Sequence, residues 1–320
     1  MKYIKISLAL VALLSIILTG CSSRRAAEDT EEAVLPSVFF EFVDDSGKEV
    51  RLFEKPKRVA VLFSSHAQAV LLAGGSVDIT VGESVERGFA KEDCALVDGG
   101  AGKQINTELL VSLSPDFVVG SLDIPAHKEA CELLSEAGIP TALFRIESFD
   151  DYDRTMKRLC GVFDSPEKYR ENVALVRERI DGILSSSSIT KEKKRILFVR
   201  CASTSKATKA KTAKDNFVCQ MLKELGTYNI AEACPVLCET LSVEDILLQN
   251  PEYIFFSPMG DSEAAKAYIN TLLENDEWKC LDAVKNKNYA FLEKDLFQYK
   301  PNNRWDTAYK TLLELLYGTE

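Results

Sequence analysis

Two glutamates, Glu108 and Glu244, hold matching places in a stretch that the chain uses twice. The first copy runs from Ile105 to Ser121 and the second from Leu241 to Ser257. Each reads apolar residue, Asn or Ser, any residue, Glu, a short apolar run, Pro, an acid, an aromatic, then an apolar run into Ser. Pro115 follows Glu108 by seven residues, and Pro251 follows Glu244 by seven. Asn106 and Ser242 are good helix N-caps. The glutamate then falls in the first turn, where the helix dipole favours a negative charge. The proline pushes its predecessor toward extended geometry and ends the helix. The apolar run after it suits a buried parallel strand. The chemistry offered is one carboxylate at a helix start in each half. One copy is an ordinary α/β packing unit, whereas two at equal spacing point to two homologous lobes.

A second group of polar residues gathers where predicted strands end. Ligands of open α/β sheets bind beyond the carboxyl ends of the strands. In the first half those ends are Ser64-Ser65-His66, Glu83 to Arg87 and Asp123 to His127. In the second they are Arg200 to Lys214, Met259 and Phe297 to Trp305. A capped helix start at Ser65 offers free N–H groups to an anion. Arg200, Lys206, Lys209, Lys211 and Lys214 follow one strand, and Tyr299, Lys300, Asn303 and Arg304 follow another. A lysine run is often only a solvated face. Guanidinium and aromatic groups together, with Phe297 and Trp305 adding aromatic surface, suit a flat, anionic ligand. His66 is a candidate iron ligand, although a lone histidine at a helix start is more often a hydrogen-bonding residue.

Other chemistries fail on their spacing. The two histidines, His66 and His127, are too few for a multi-histidine metal centre, and no resident cofactor is expected. Gly102-Lys103-Gln104 has Val97 and Gln104 where a phosphate-binding loop needs glycine and Ser/Thr. No G-x-S-x-G nucleophile elbow occurs. An exported α/β enzyme is the competing class, and binding without turnover separates the two. The net charge of −10 disfavours bulk nucleic-acid binding.

The elements that must position these residues follow from 320 residues, enough for two α/β domains. Residues 1–20 read as a signal peptide: Lys2 and Lys5, the apolar run Ile6 to Leu18, then Leu18-Thr19-Gly20-Cys21. Their removal deletes two lysines and no acids and takes the net charge to −12. Residues 21–37 read as a disordered tether. Residues 38–148 form a first α/β lobe, opening on a hairpin around Asp45-Ser46-Gly47. Residues 149–190 are a helical linker with a long helix from Pro166 to Leu184, roughly 28 Å at 1.5 Å per residue. Residues 191–320 form a second α/β lobe. Alternating strands and helices predict parallel, doubly wound sheets. Cys131, Cys160 and Cys201 read as small apolar residues. For Cys219, Cys234, Cys238 and Cys280, a disulfide and free thiols both stay open.

This order of parts resembles the substrate-binding lipoproteins of ABC importers for iron complexes, haem and corrinoids. The resemblance spans nearly the whole chain after the leader. It rests on the run Phe42 to Val50 with Pro56-Lys57-Arg58-Val59-Ala60, the long linker helix and the duplicated motif. It implies two lobes joined by one rigid α-helix with a ligand cleft between them. It implies lipidation at Cys21 and anchoring of a monomer outside the membrane. It also implies docking of Glu108 and Glu244 on an ABC permease that works with an ATPase. The basic second-half loops rank a ferric siderophore first, haem second and a corrinoid of the vitamin B12 type third, since the first two are anionic.

Overall fold

The structure, a computed structural model, describes residues 37–98, 104–186, 189 and 193–318. The leader with Cys21, the tether up to Pro36 and the pair Gly102-Lys103 lie outside the described residues. Strands β1 (Phe40–Val43) and β2 (Glu49–Leu52) form the antiparallel hairpin expected around Asp45-Ser46-Gly47. Gly47, at φ +87°, occupies the left-handed region open to glycine. Asp44 holds the turn by accepting from the Ser46 and Lys48 N–H groups. Its other oxygen accepts from Leu143 N–H, which ties the hairpin to the first sheet.

The first lobe alternates β3 (Val59–Val61), α1 (Ser64–Leu72), β4 (Ile79–Thr80), α2 (Gly82–Glu86), β5 (Ala95–Leu96), α3 (Thr107–Ser112), β6 (Phe117–Ser121), α4 (Pro125–Glu136) and β7 (Thr141–Phe144). Its strands form a parallel sheet in the order β5-β4-β3-β6-β7. Every residue of β6 is buried, as a parallel strand covered by helices on both faces requires. Then come α5 (Phe149–Val162), α6 (Pro166–Tyr169) and α7 (Leu175–Leu184). The helix expected from Pro166 to Leu184 is continuous but not uniformly α: Arg170–Ala174 is a π turn. The side chain of Asn172, in that turn, donates to the carbonyls of Leu72 at 3.0 Å and Lys168 at 3.1 Å. A π turn widens the helix by one residue, and here it carries the side chain that ties the spine to the end of α1.

The second lobe contains β8 (Lys194–Cys201), β9 (Lys209–Ala210), α8 (Phe217–Glu224), β10 (Thr227–Asn229), α9 (Val243–Gln249), β11 (Tyr253–Pro258), α10 (Ser262–Leu273), α11 (Asp282–Lys285), β12 (Tyr289–Phe291), α12 (Lys294–Phe297) and α13 (Trp305–Tyr317). Strands β10-β8-β11-β12 are parallel, and β9 returns antiparallel on β8. The lysine-rich stretch is therefore a loop only in part, because Lys209 pairs with Arg200 in β8. The duplicated motif is also structural. Asn106 and Ser242 cap α3 and α9 by accepting from the N–H groups of Leu109 and Asp245. Ser114 and Asn250, at φ 49° and 42°, end the two helices before Pro115 and Pro251.

The core decides how the lobes relate. One apolar cluster covers the outer face of the first sheet around Leu62, Val118 and Leu134, and a second covers the outer face of the other sheet around Leu197, Phe256 and Ile269. The third is shared. It runs from Val59 and Phe117 through Val173 and Ile180 of the spine to Phe198, Phe217 and Trp305. Trp305 stands edge-on to Phe149 at 6.2 Å and to Phe217 at 5.6 Å, so one indole wedges between the first linker helix and the second lobe. Trp305 and Phe297, expected as aromatic surface of the cleft, are 0% and 1% exposed and belong to this core. Their place at the start of α13 and the end of α12 turns them inward.

Replacing Trp305 with Ala should cost about 3–5 kcal/mol, the usual loss for a buried aromatic. Because the cluster is shared, urea unfolding followed by near-UV and far-UV circular dichroism should show one coincident transition in wild type. Two separated transitions would contradict the shared core.

Candidate functional site

The carboxyl ends of the two sheets meet, and the polar residues expected there are found there. Their contacts differ from a simple open cleft. Ser64 and Ser65 begin α1 but do not cap it, since the N-cap residue is Phe63 and no side chain caps the helix. The Ser64 hydroxyl instead donates to the Glu83 carboxylate, and Arg87 Nη1 donates to Ser64 Oγ at 2.9 Å. Arg87 also stacks its guanidinium on the Tyr299 ring, 3.6 Å from the centroid. Burial lowers the Arg87 pKa, opposed by Glu83, Tyr299 and Asp295.

The segment 299–304, second-lobe by sequence, is bonded to the first lobe. Lys300 N–H donates to Ser65 Oγ at 3.4 Å, and Lys300 Nζ pairs with Glu147 at 2.6 Å. Asn302 Nδ2 donates to Ser65 O at 3.0 Å and Gln68 Oε1 at 2.8 Å, and Asn303 Nδ2 to Asn172 Oδ1 at 3.1 Å. Asn302 is buried and left-handed, at φ 53°. Ser65, Arg87, Tyr299, Lys300 and Asn303 thus converge, as one clasp between the lobes. Burial lowers the Lys300 pKa, and the Glu147 carboxylate opposes that shift. Beside the clasp a cleft of about 350 Å³ is lined by Gln68, Glu86, Arg87, Phe89, Asp295, Pro301 and Arg304.

The histidines lie beneath this surface. His66 and His127 are 2% and 0% exposed and pack around Phe63. His127 Nδ1 accepts from Ser121 N–H at 3.1 Å. His66 Nδ1 and His127 Nε2 are buried without a hydrogen-bond partner. Burial drives both pKa values down, to about 3 for His66 and about 4 for His127, so both rings are neutral. Among the described residues, no group of three or more His, Cys, Asp or Glu could hold a metal ion.

In the second lobe the cations part company. Lys211 is paired with Asp215 at 2.7 Å. Lys209 has no ion-pair partner among the described residues, and Met259 lies half-buried at the end of β11. Arg200 is half-buried near the end of the central strand β8, with no hydrogen bond or ion pair to its guanidinium among the described residues. Desolvation lowers its pKa, against the pull of Glu147 and Asp215. Glu108 and Glu244 are exposed in the first turns of α3 and α9, and neither has a counter-ion among the described residues. The eight described cysteines are unpaired.

Sequence reasoning missed Glu147 and Gln68, and it reached Glu83 only as the first residue of a strand-end stretch. Glu147 lies three residues beyond the last residue of β7, so the strand-end rule that found Asp123 and His127 would have reached it. Gln68 carried no signal, because its role depends on Asn302, more than 200 residues away.

Residues 59–296 match the family described as periplasmic binding protein. No curated protein matches the chain in sequence. Solved structures resemble it in fold. A possible iron-binding periplasmic solute-binding protein from Staphylococcus epidermidis is 20% identical, with a TM-score of 0.66 over 82% of this chain and 100% of that one. SirA of Staphylococcus aureus, complexed with staphyloferrin B, is 18% identical, with a TM-score of 0.67 over 87% and 98%. IsdE of the same organism, complexed with heme, is 18% identical, with a TM-score of 0.65 over 81% and 98%.

The neutral histidines set a pH dependence. Their folded pKa values lie below the unfolded value of about 6.5, so the unfolded chain binds the extra protons. Stability is fully present above about pH 6.5 and falls as pH drops toward 4, by up to about 1.4 kcal/mol per pH unit per histidine. Urea midpoints of wild type and His66→Gln should converge on acidification. A midpoint difference that is flat from pH 7 to 4 would remove His66 from this role.

Proposed function

Because the chain belongs to the periplasmic binding protein family, we propose that it is the extracytoplasmic receptor of an ABC importer and that its cargo is an anionic iron chelate. Arg200 carries this reading. A half-buried guanidinium near the end of a central strand, with Glu147 and Asp215 near but neither paired with it, is costly unless an anion completes it. Ferric siderophores supply that charge through carboxylate or phenolate groups, and a guanidinium binds such groups through paired hydrogen bonds. Lys209 and Arg304 add positive charge, and Met259 and Tyr299 add less polar surface. Lys300 and Lys211 contribute less, since each already has a carboxylate. Ser64, Ser65, His66, His127 and Asn303 lie in or under the clasp and would reach a ligand only where the clasp opens.

The likeness to proteins crystallised with staphyloferrin B and with heme supports the chelate and the haem readings alike. The unpaired guanidinium favours both over a corrinoid, whose side chains are mostly neutral amides. In this reading Cys21 carries the lipid anchor, and Glu108 and Glu244 meet basic residues of the permease.

Tryptophan-fluorescence titration with a ferric tris-catecholate, a ferric hydroxamate, haemin and cyanocobalamin tests the ligand class. The catecholate should bind tightest without turnover. Arg200→Gln should weaken it about ten- to a hundredfold, the weight of a charge-assisted hydrogen bond, with no loss of thermal stability. Binding of cyanocobalamin alone would overturn the chelate reading. Glu108→Ala and Glu244→Ala should each slow uptake into cells while leaving the dissociation constant unchanged. Cys21→Ser should release the protein from the membrane fraction.

A further inference from the structure

Leu248 is 81% exposed, more than any other large apolar residue described. It follows Glu244 by four residues on α9, so the two side chains share a face. The same helix buries Ile246 completely, so its inner face is already satisfied. The other copy of the motif repeats the combination. Val111, 41% exposed, follows Glu108 by three residues on α3, and Leu110 is the buried counterpart of Ile246. A lone exposed leucine calls for no explanation. Here each copy sets an exposed apolar residue one turn beyond a carboxylate that has no counter-ion among the described residues.

The two combinations are unequal. At about 100° per residue, Val111 lies roughly 60° to one side of Glu108, and Leu248 roughly 40° to the other side of Glu244. Leu248 occupies the place of Ser112 in the first copy, and the equivalent of Val111 is the half-buried Leu247. Two similar footprints therefore differ in hand and in apolar area.

We propose that Leu248 and Val111 are apolar anchors of the surface that meets the membrane-embedded permease, and that their unequal placement fixes the orientation of docking. This rests on the importer reading above. The partner site is a basic side chain bordered by aliphatic surface, one for each lobe. The charge argues for that partner. Anionic lipid headgroups repel an acidic helix start. A second copy of the chain meeting this face across a two-fold axis would set like carboxylates together.

The test is binding of the full mature chain to the permease–ATPase complex of its importer in lipid nanodiscs, read by biolayer interferometry. Leu248→Ser should weaken association at least tenfold, as burial of a leucine side chain implies. Val111→Ser should weaken it a few-fold. Val43→Ser removes an apolar residue that is 52% exposed on the hairpin and should change nothing. All three positions are exposed, so melting temperature and chelate affinity should stay at wild-type values. In Ser112→Leu/Leu248→Ser the leucine moves to the equivalent place in the other lobe, and binding should stay weak; recovery to wild type would overturn the orientation claim. If Glu244→Ala weakens docking and Leu248→Ser does not, the anchors are refuted and the importer reading stands. If neither glutamate variant alters docking, the docking surface itself is refuted, and the anchors with it.

Discussion

The wedge of Trp305 between Phe149 and Phe217 is the contact on which the rest of the architecture depends. An indole buried against a ring of the linker helix α5 and a ring of α8 lies in the apolar cluster that the two sheets share. The spine belongs to it as well, with Val173, Val176 and Ile180 packed into the same cluster. Arg179 pairs with Asp306 at the start of α13, which fixes the spine to the second lobe from its outer side. Interiors this continuous are bistable at their interfaces rather than freely deformable.

Polar contacts at the cleft divide by whether a partner already exists. Lys300 and Glu147 pay their desolvation in each other's company, and the same is true of Ser64 with Glu83. Arg200 has no paired partner among the described residues, and burial lowers its pKa against the more distant pull of Glu147 and Asp215. That contrast separates polar groups that are already paired from a half-buried guanidinium at this end of the sheets that is not. The histidines are a third case. Neutral rings under Phe63 fill space and leave two nitrogens without hydrogen bonds, which makes the floor of the site sensitive to acid.

Much of this was legible in the sequence. The hairpin followed from Asp45-Ser46-Gly47, the parallel sheets from apolar runs alternating with capped helices, and the duplicated motif from Glu-to-Pro spacing. Those features depend on neighbours within about ten residues. The clasp did not show itself, because Ser65 and Asn302 have ordinary local roles and acquire their bond only through the fold. Ser64 and Ser65 are good caps by residue type, yet Glu83, Arg87 and the 299–304 segment take their hydroxyls. Trp305 and Phe297 looked like cleft surface beside Lys300 and Arg304. Which way an aromatic turns at a helix boundary is set by core packing, which adjacent charges do not report. The π turn at Asn172 was equally hidden, since a run of good helix formers reads the same with or without a widened turn.

The clasp also bears on how such a chain can be recombined. By sequence, residues 299–304 belong to the second lobe, but their hydrogen bonds roof α1 of the first and reach Asn172 in the spine. Neither half is therefore a module. A chimera that kept residues 37–186 and took its second lobe from a distant relative would uncover Ser65 and Gln68 and leave Glu147 facing an empty place. It would need Lys300, Asn302 and Asn303 carried across with it. Exchange of lobes between relatives is constrained less by the linker that joins them than by six residues close to the other end of the chain.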